Sequence, residues 1–333
     1  MRKIYIIGSA SKFGMERSYK YALEKLGFEV EIIDFANLIN SYYPFIILQK
    51  FNSDYTPAIV KANHFVAKKF FKEPPFAIMV FTNVKLYPGT IEYFKRICKN
   101  VIFYWPDSIV NMSNNVFSNL KHYTKVYAHS KENVDIFKRN DIESTWLPFA
   151  GDTISSADFD AYSEKKTEYD FSFVGAFRPE RYEAINGLLK EFPESRFFLA
   201  GTGWKKLSFH NKKNLTLVEQ MVDLNTFLNY TANSKIALNA IDHLNYPSSN
   251  LRFFEIALSG VPQLSTFIPE FENQFADKKD VYYFKTLNEM IEKAHWIVNN
   301  YEEALKGAKE FRRTIDTSNK YINRAKLLAE DFV

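Results

Sequence analysis

The chain has a single cysteine, Cys98, in 333 residues. That excludes a disulfide framework and any zinc site built on several thiolates. Cys98 falls in a helix-like stretch, residues 91–99, and reads as a small buried apolar residue. Glycine is scarce, at 11 residues, well under the ~7% typical of soluble domains. Collagen-like, linker-like and disordered chains are excluded on that ground. Long apolar runs are missing too. The longest, such as residues 4–7 and 76–81, fall far short of the ~20 residues that a membrane-spanning helix needs. The first residues, Met1-Arg2-Lys3-Ile4-Tyr5-Ile6-Ile7-Gly8, lack the apolar centre of a secretory signal and read as a first strand. A large charge of one sign is also lacking: 43 Lys and Arg against 39 Asp and Glu leave +4. So small an excess suits a local anion site and not a nucleic-acid coat. These absences point to the cytoplasm.

What is present is apolar and aromatic. Hydrophobic residues make up 46% of the chain and aromatics 17%, enough for about two cores at this length. The pattern alternates short apolar runs with helical spacing. Residues 3–7, 28–35, 76–81, 101–105, 125–128 and 144–147 read as strands, and 16–26, 57–71, 91–98 and 131–139 as helices. Residues 151–168 are polar and acidic without apolar periodicity, and read as a linker. The rhythm then restarts. Strands are expected at 169–174, 196–200, 215–218, 236–240, 261–265 and 281–284, and helices at 181–189, 224–230 and 251–258. Thr286 and Glu289 form a capping box opening a helix to about Asn299. Residues 301–332 read as helical, with a polar interruption near Asp316. Strands alternating with helices imply right-handed crossovers and parallel sheets. The fold class is α/β: two doubly wound Rossmann-like domains facing each other across a cleft. The divisions expected are 1–150, a linker at 151–168, a second domain at 169–315, and a C-terminal helix at 316–333 packing back on the first domain.

The segment from Ile241 to Pro262 carries the most chemistry. It reads as strand end, polar loop, helix, glycine stop and strand. Leu251, Phe254 and Leu258 form its apolar stripe, while Arg252, Glu255 and Ser259 share another face. Ser248, Ser249 and Asn250 stand at the helix start, where free amides and the helix dipole favour an anion such as a phosphate. Arg252 adds charge there, and Glu255 suits the vicinal diol of a ribose. The same spacing also describes a capped helix with an intrahelical Arg–Glu pair.

The second half resembles the donor-binding domain of bacterial glycosyltransferases with the two-domain GT-B fold, and is most similar to the family-1-type group typified by the CgeB spore-maturation protein. Five ordered blocks carry the resemblance. They are Tyr169-Asp170-Phe171-Ser172-Phe173-Val174-Gly175 with Arg178 and Arg181; Leu199-Ala200-Gly201-Thr202-Gly203-Trp204; Ser234-Lys235-Ile236-Ala237-Leu238-Asn239; Leu251-Arg252-Phe253-Phe254-Glu255; and, upstream, Trp146-Leu147-Pro148-Phe149-Ala150. The resemblance implies a nucleotide-sugar-dependent transferase, with the donor held by the second domain and the acceptor by the first. Gly175, Arg178, Gly201, Gly203, Lys205, Ser248, Ser249, Asn250, Arg252 and Glu255 are the implied donor-binding residues. Two features depart from the group. Many retaining relatives carry an earlier glutamate in this segment, and position 247, where it would fall, holds Pro247. The His-Thr pair often found near the last helix is replaced by Ile315-Asp316-Thr317.

Such a reaction builds negative charge on the departing diphosphate, which oriented amides and cations stabilise. Arg178, Arg252 and Lys205 are the cations in question. Arg178 and Lys205 also read as solvated surface residues, Lys205 within the charged run 205–213. No metal and no cofactor beyond the donor is required; a uridine diphosphate sugar is the assumed type. Taking the acceptor's proton needs a base. Asp107, at the exit of the strand 101–105, is the first candidate and His129 the runner-up; each also fits a structural role, as a cap or a buried imidazole. The turn Gly8-Ser9-Ala10-Ser11 either approaches a substrate or is only a turn. Tyr42, Tyr43 and Trp105 are candidate sugar-stacking rings. Asp158-Phe159-Asp160 mimics a metal-binding motif but sits in the linker. Gly201-Thr202-Gly203 lacks the third glycine of a dinucleotide fingerprint.

The expected partners are a nucleotide sugar and a glycan, lipid-linked or protein acceptor, without nucleic acid. Peripheral contact with the inner membrane surface would suit a lipid-linked acceptor, though +4 gives it little support. The rival readings are a nucleotide-sugar epimerase or hydrolase on the same fold, and a non-catalytic binding subunit.

Overall fold

A computed structural model of the chain describes residues 2–11, 14–42, 57–152, 167–205 and 213–332. Tyr43, the run 206–212, and Asp158-Phe159-Asp160 with most of the expected linker lie outside the described residues. The chain divides into two compact units, Met1–Pro148 with Tyr321–Val333, and Phe149–Lys320.

The first unit is one parallel sheet. Its strands are β1 (Lys3–Gly8), β2 (Glu29–Asp34), β3 (Ala77–Phe81), β4 (Asn100–Trp105), β5 (Lys125–Ala128) and β6 (Ser144–Trp146). They lie in the order β2-β1-β3-β4-β5-β6. β1 is hydrogen-bonded in parallel to both β2 and β3, and β3 to β4. β3 is buried throughout, as a strand covered on both faces must be. The helices are α1 (Met15–Lys25), α2 (Phe35–Asn40), α3 (Pro57–Lys72), α4 (Pro88–Ile97), α5 (Asn114–Asn119) and α6 (Lys131–Arg139). Side-chain caps start several of them: Asp34 accepts the Asn37 amide of α2, and Ser130 the Asn133 amide of α6. α4 ends one residue before Cys98, which is the cap in extended conformation and is buried.

The second unit repeats the architecture. β7 (Tyr169–Val174), β8 (Phe197–Ala200), β9 (Leu215–Val218), β10 (Ser234–Asn239), β11 (Gln263–Thr266) and β12 (Tyr282–Phe284) lie in the order β12-β11-β10-β7-β8-β9. All five pairings are parallel. The order reverses between β7 and β10, the place in such sheets where ligands bind. The helices are α7 (Pro179–Glu191), α8 (Leu224–Ala232), α9 (Leu251–Ser259), α10 (Leu287–Asn299) and α11 (Tyr301–Ser318). Thr286 Oγ1 accepts the Glu289 amide, while the Glu289 carboxylate takes the amide of Lys285 and not that of Thr286, so the expected box closes one residue early.

The helical break expected near Asp316 falls later, at Asn319 and Lys320. Asp316 stays inside α11 because it pairs with Arg312 and Lys320, four residues to either side. α12 (Tyr321–Glu330) then packs against α1 within the first unit. There Arg324 Nε donates to Pro148 O at 3.1 Å, Lys125 Nζ meets the Asp331 carboxylate at 2.7 Å, and Tyr127 Oη donates to the same carboxylate.

The aromatic surplus is core. In the first unit the Tyr5 and Phe70 rings lie 4.6 Å apart and Phe70 and Phe94 4.9 Å. In the second, Phe171 stacks on Phe197 at 4.9 Å. Trp105 is sealed among these rings, so it is no sugar-stacking platform. Tyr42 packs against the same core.

Two glycine turns meet at the ends of β7 and β8. Gly201 has φ +138°, and a Cβ there would lie 2.1 Å from Gly175 O. Gly201→Ala adds both strain and a backbone clash and should cost ~3 kcal/mol. Urea denaturation measures it; a change within ~0.5 kcal/mol, the size of a neutral surface substitution, contradicts the packing described.

Candidate functional site

A pocket of about 310 Å³ opens in the second unit where its strand order reverses. Its walls are Phe149, Val174, Phe227, Asn245, Asn250, Leu251, Arg252 and Glu255. Val174 ends β7. Asn245 lies in the loop after β10, and the last four belong to the cap and first turns of α9. Carboxyl strand ends and a helix N-terminus thus converge, which is the arrangement that receives anionic ligands in doubly wound sheets.

Arg252 is the structural centre of the site. Its Nε donates to Val174 O at 2.5 Å and its Nη1 to Asn239 Oδ1 at 3.2 Å. The guanidinium lies 4.8 Å from the centre of the Phe173 ring. Burial, and then the nearby Arg181 charge, push its pKa down to about 9, which still leaves it a cation at neutral pH. Gly175 is required here because a Cβ would stand 2.4 Å from Arg252 Nη2. Asn250 caps α9: its Oδ1 accepts the Phe253 amide at 3.0 Å, and its Nδ2 donates to the same Asn239 oxygen at 3.0 Å.

Glu255 stands one turn beyond Arg252, partly exposed at the pocket wall. No hydrogen bond or ion pair reaches its carboxylate among the described residues. The intrahelical Arg–Glu pair is therefore not formed, because Val174 and Asn239 hold the guanidinium. Packing around the carboxyl raises its pKa to about 7, against a partial offset from Arg252. The expected apolar stripe of α9 is too narrow: Phe253, Phe254, Ile256, Ala257, Leu258 and Ser259 are all buried, and Leu251 faces the pocket instead.

The loop from Asp242 to Asn250 is held from outside the motif. The Arg181–Asp242 ion pair is buried, with N···O 2.5 Å. Arg181 Nη1 also donates to Ala176 O, and Asn245 Nδ2 to Asp242 Oδ1. Ser248 and Ser249 differ from expectation. Both are sealed from solvent, so their hydroxyls do not line the pocket. Ser248 Oγ donates to Glu270 Oε2 at 2.8 Å, and Ser249 Oγ has no partner among the described residues.

The Gly201–Lys205 turn departs from its expected role in a different way. Its amides converge as an anion nest, but Glu219 already fills it. The Glu219 carboxylate accepts from Gly203 N at 2.6 Å and from Trp204 N and Lys205 N at 3.0 Å each. Burial pushes this carboxyl up, yet those three amides outweigh it and hold it below the ordinary carboxylate range. Trp204 Nε1 then donates to Gly175 O at 2.8 Å, tying the turn to the clamp on Arg252. Gly201 and Gly203 serve this packing. Lys205 is exposed, and so is Arg178, whose Nη1 donates to Phe177 O; neither lines the pocket.

In the first unit, Asp107 is half-buried after β4. Its Oδ1 accepts the Ser108 amide and its Oδ2 the Asn111 side chain, so it braces the short helical turn that follows without capping it. His129 is 1% exposed, and burial drives its pKa down to about 4. It is neutral at pH 7, and solvent scarcely reaches it. The turn after β1 is internally satisfied: Glu16 takes the Ser9 amide and Asp34 the Ala10 amide.

The glycosyl transferase-like family matches residues 180–330. No match is found among curated proteins. Among solved structures, a sucrose-phosphate synthase from Thermosynechococcus elongatus aligns at TM-score 0.66 and 11% identity, covering 100% of this chain and 98% of that one. A UDP-forming α,α-trehalose-phosphate synthase from Burkholderia xenovorans aligns at 0.65 and 10%, covering 99% and 98%. HepE of Anabaena, in complex with UDP and glucose, aligns at 0.63 and 11%, covering 99% of each chain. The chain has the GT-B fold. Its two parallel six-stranded sheets are the two Rossmann-like domains of that fold.

Sequence reasoning missed Asn239, Asn245, Phe149 and Phe227 as walls of this pocket. Asn239 had a signal: it is the last residue of a strand, where binding groups concentrate. Phe227 had none, since an aromatic on a helix reads as core.

Two outcomes follow from the site. Asp242→Ala should cost ~3–5 kcal/mol by leaving the Arg181 charge buried alone, while Arg181→Met with Asp242→Leu should cost far less. Chemical denaturation of the two variants reads this, and equal losses in both contradict it. Glu255 titrates at about 7 in the fold against an ordinary 4.5. The wild type therefore loses stability as pH rises between those values and loses no more above them. Glu255→Gln should match the wild type near pH 4 and exceed it at pH 8. A stability difference independent of pH contradicts the assignment.

Proposed function

We propose that the pocket binds a uridine diphosphate sugar, and that the chain transfers the sugar to a glycan, lipid-linked or protein acceptor hydroxyl. One observation carries this reading: the Glu255 carboxylate, without a hydrogen-bond partner among the described residues, opens into a pocket beside Arg252 and the first turn of α9. A carboxylate accepts two hydrogen bonds from a vicinal diol, so Glu255 holds the ribose. The α9 amides and Arg252 hold the diphosphate. Arg178 and Lys205, both exposed, are the proposed cations at its outer edge. The UDP and glucose bound to the Anabaena protein support the choice of donor.

In the reaction the acceptor oxygen bonds to the anomeric carbon. The bond from that carbon to the diphosphate breaks with its electron pair on the departing oxygen. Arg252 and the helix amides stabilise that charge as it forms. The second unit is thus the donor domain and the first the acceptor domain, with Asp107 taking the acceptor's proton. His129 is set aside because its ring is buried and neutral.

Calorimetry with UDP and UDP-glucose tests the reading. UDP at 100 times its dissociation constant should add about 2.7 kcal/mol of stability. Glu255→Ala should weaken UDP by at least ~10-fold, the value of one or two charge-assisted hydrogen bonds, and binding should tighten as pH rises through 7. UDP release should require an acceptor. Release from UDP-glucose alone at the full rate would favour a hydrolase, and unchanged UDP affinity in Glu255→Ala would remove the proposed site.

A further inference from the structure

We propose that the outer face of α3, in the first unit, docks on an anionic lipid bilayer. The observations behind this are independent of the donor pocket. α3 holds four lysines, Lys61, Lys68, Lys69 and Lys72, and no acidic residue in its sixteen positions. Its inner face, with Ala58, Ile59, Ala62, Val66 and Phe70, is core. The outer face exposes Phe71 by 75%, Val60 by 51% and Phe65 by 45%, an unusual display for a helix whose apolar needs are already met. At ~100° per residue the exposed positions span an arc of roughly 140°. Lys61, Lys68 and Lys72 run along its middle, with Val60 and Phe71 on one margin and Phe65 on the other.

The acids nearest this face are engaged elsewhere. Lys69 is turned to Glu31, at 3.0 Å. Glu73, the first acid after the helix, is shared by Lys3, the Tyr5 hydroxyl and, at 4.0 Å, Lys69. Neither Lys68 nor Lys72 has an ion-pair partner among the described residues. α4 packs beside α3, and its last turn adds the exposed Arg96, while Lys95 beside it meets Glu92 at 3.5 Å.

Lysines bracketed by phenyl rings match the interfacial zone of a bilayer. The ammonium groups meet lipid phosphates, their stems snorkel, and the rings enter the boundary between headgroups and chains. A nucleic acid or an acidic protein would satisfy the lysines and leave Phe71 in water, so the bilayer is the occupant that uses both features.

Vesicle sedimentation with the intact protein tests this. Phosphatidylcholine vesicles containing phosphatidylglycerol should bind the protein, and pure phosphatidylcholine vesicles should not, with binding weakened by salt. Each lysine near an anionic surface is worth roughly fivefold in partitioning, so Lys68→Gln with Lys72→Gln should lower it by roughly 25-fold. Phe65→Ser with Phe71→Ser should also lower it, while UDP binding stays as in the wild type. In Phe71→Trp, brominated lipid in the mixed vesicles should quench fluorescence beyond the wild-type level. Equal binding to neutral and anionic vesicles, unquenched Phe71→Trp, or capture of heparin without capture of vesicles would each overturn the proposal.

Discussion

A cation buried beneath a strand end has to be matched by acceptors, or the fold around it fails. Arg252 meets that demand with the carbonyl of Val174, the amide oxygen of Asn239 and the face of Phe173. Much of the second unit's local architecture follows from this. Position 175 is glycine because a side chain there would collide with the guanidinium. In the neighbouring turn position 201 is glycine because a side chain there would strike the Gly175 backbone. Asn239 is fixed by serving both Arg252 and the helix cap Asn250. Helix, strand end and loop are thereby held in one geometry, and the pocket is the space they leave.

Two arginines divide the work around the pocket. Arg181 pairs with Asp242 and braces the loop, whereas Arg252 is hydrogen-bonded to neutral acceptors and has no ion-pair partner among the described residues. A cation so placed next to the α9 amides favours an anion. Glu255, one turn further, is the opposite case: an acceptor with no donor among the described residues. In the proposed function a ligand with a diphosphate at one end and a diol at the other serves both.

The strand–helix rhythm was legible because apolar periodicity is a local property, and so were the cap at Asn250 and the helix carrying Arg252 and Glu255. What stayed hidden depends on partners remote in sequence. Ser248 is read correctly only with Glu270, and the Gly201–Lys205 turn only with Glu219. The polar residues near Asp316 resemble a helix break until Arg312 and Lys320 are seen to bind that carboxylate. Trp105 reads as a ligand platform at a strand end, yet the surrounding rings have claimed it. In each case a residue suited to function by type was already engaged by the fold.

Glu219 has a bearing on how the turn meets dissolved salt. Small anions such as inorganic phosphate and chloride are attracted to an open cradle of amides. By seating its own carboxylate in that cradle, the chain makes the turn indifferent to the ionic medium.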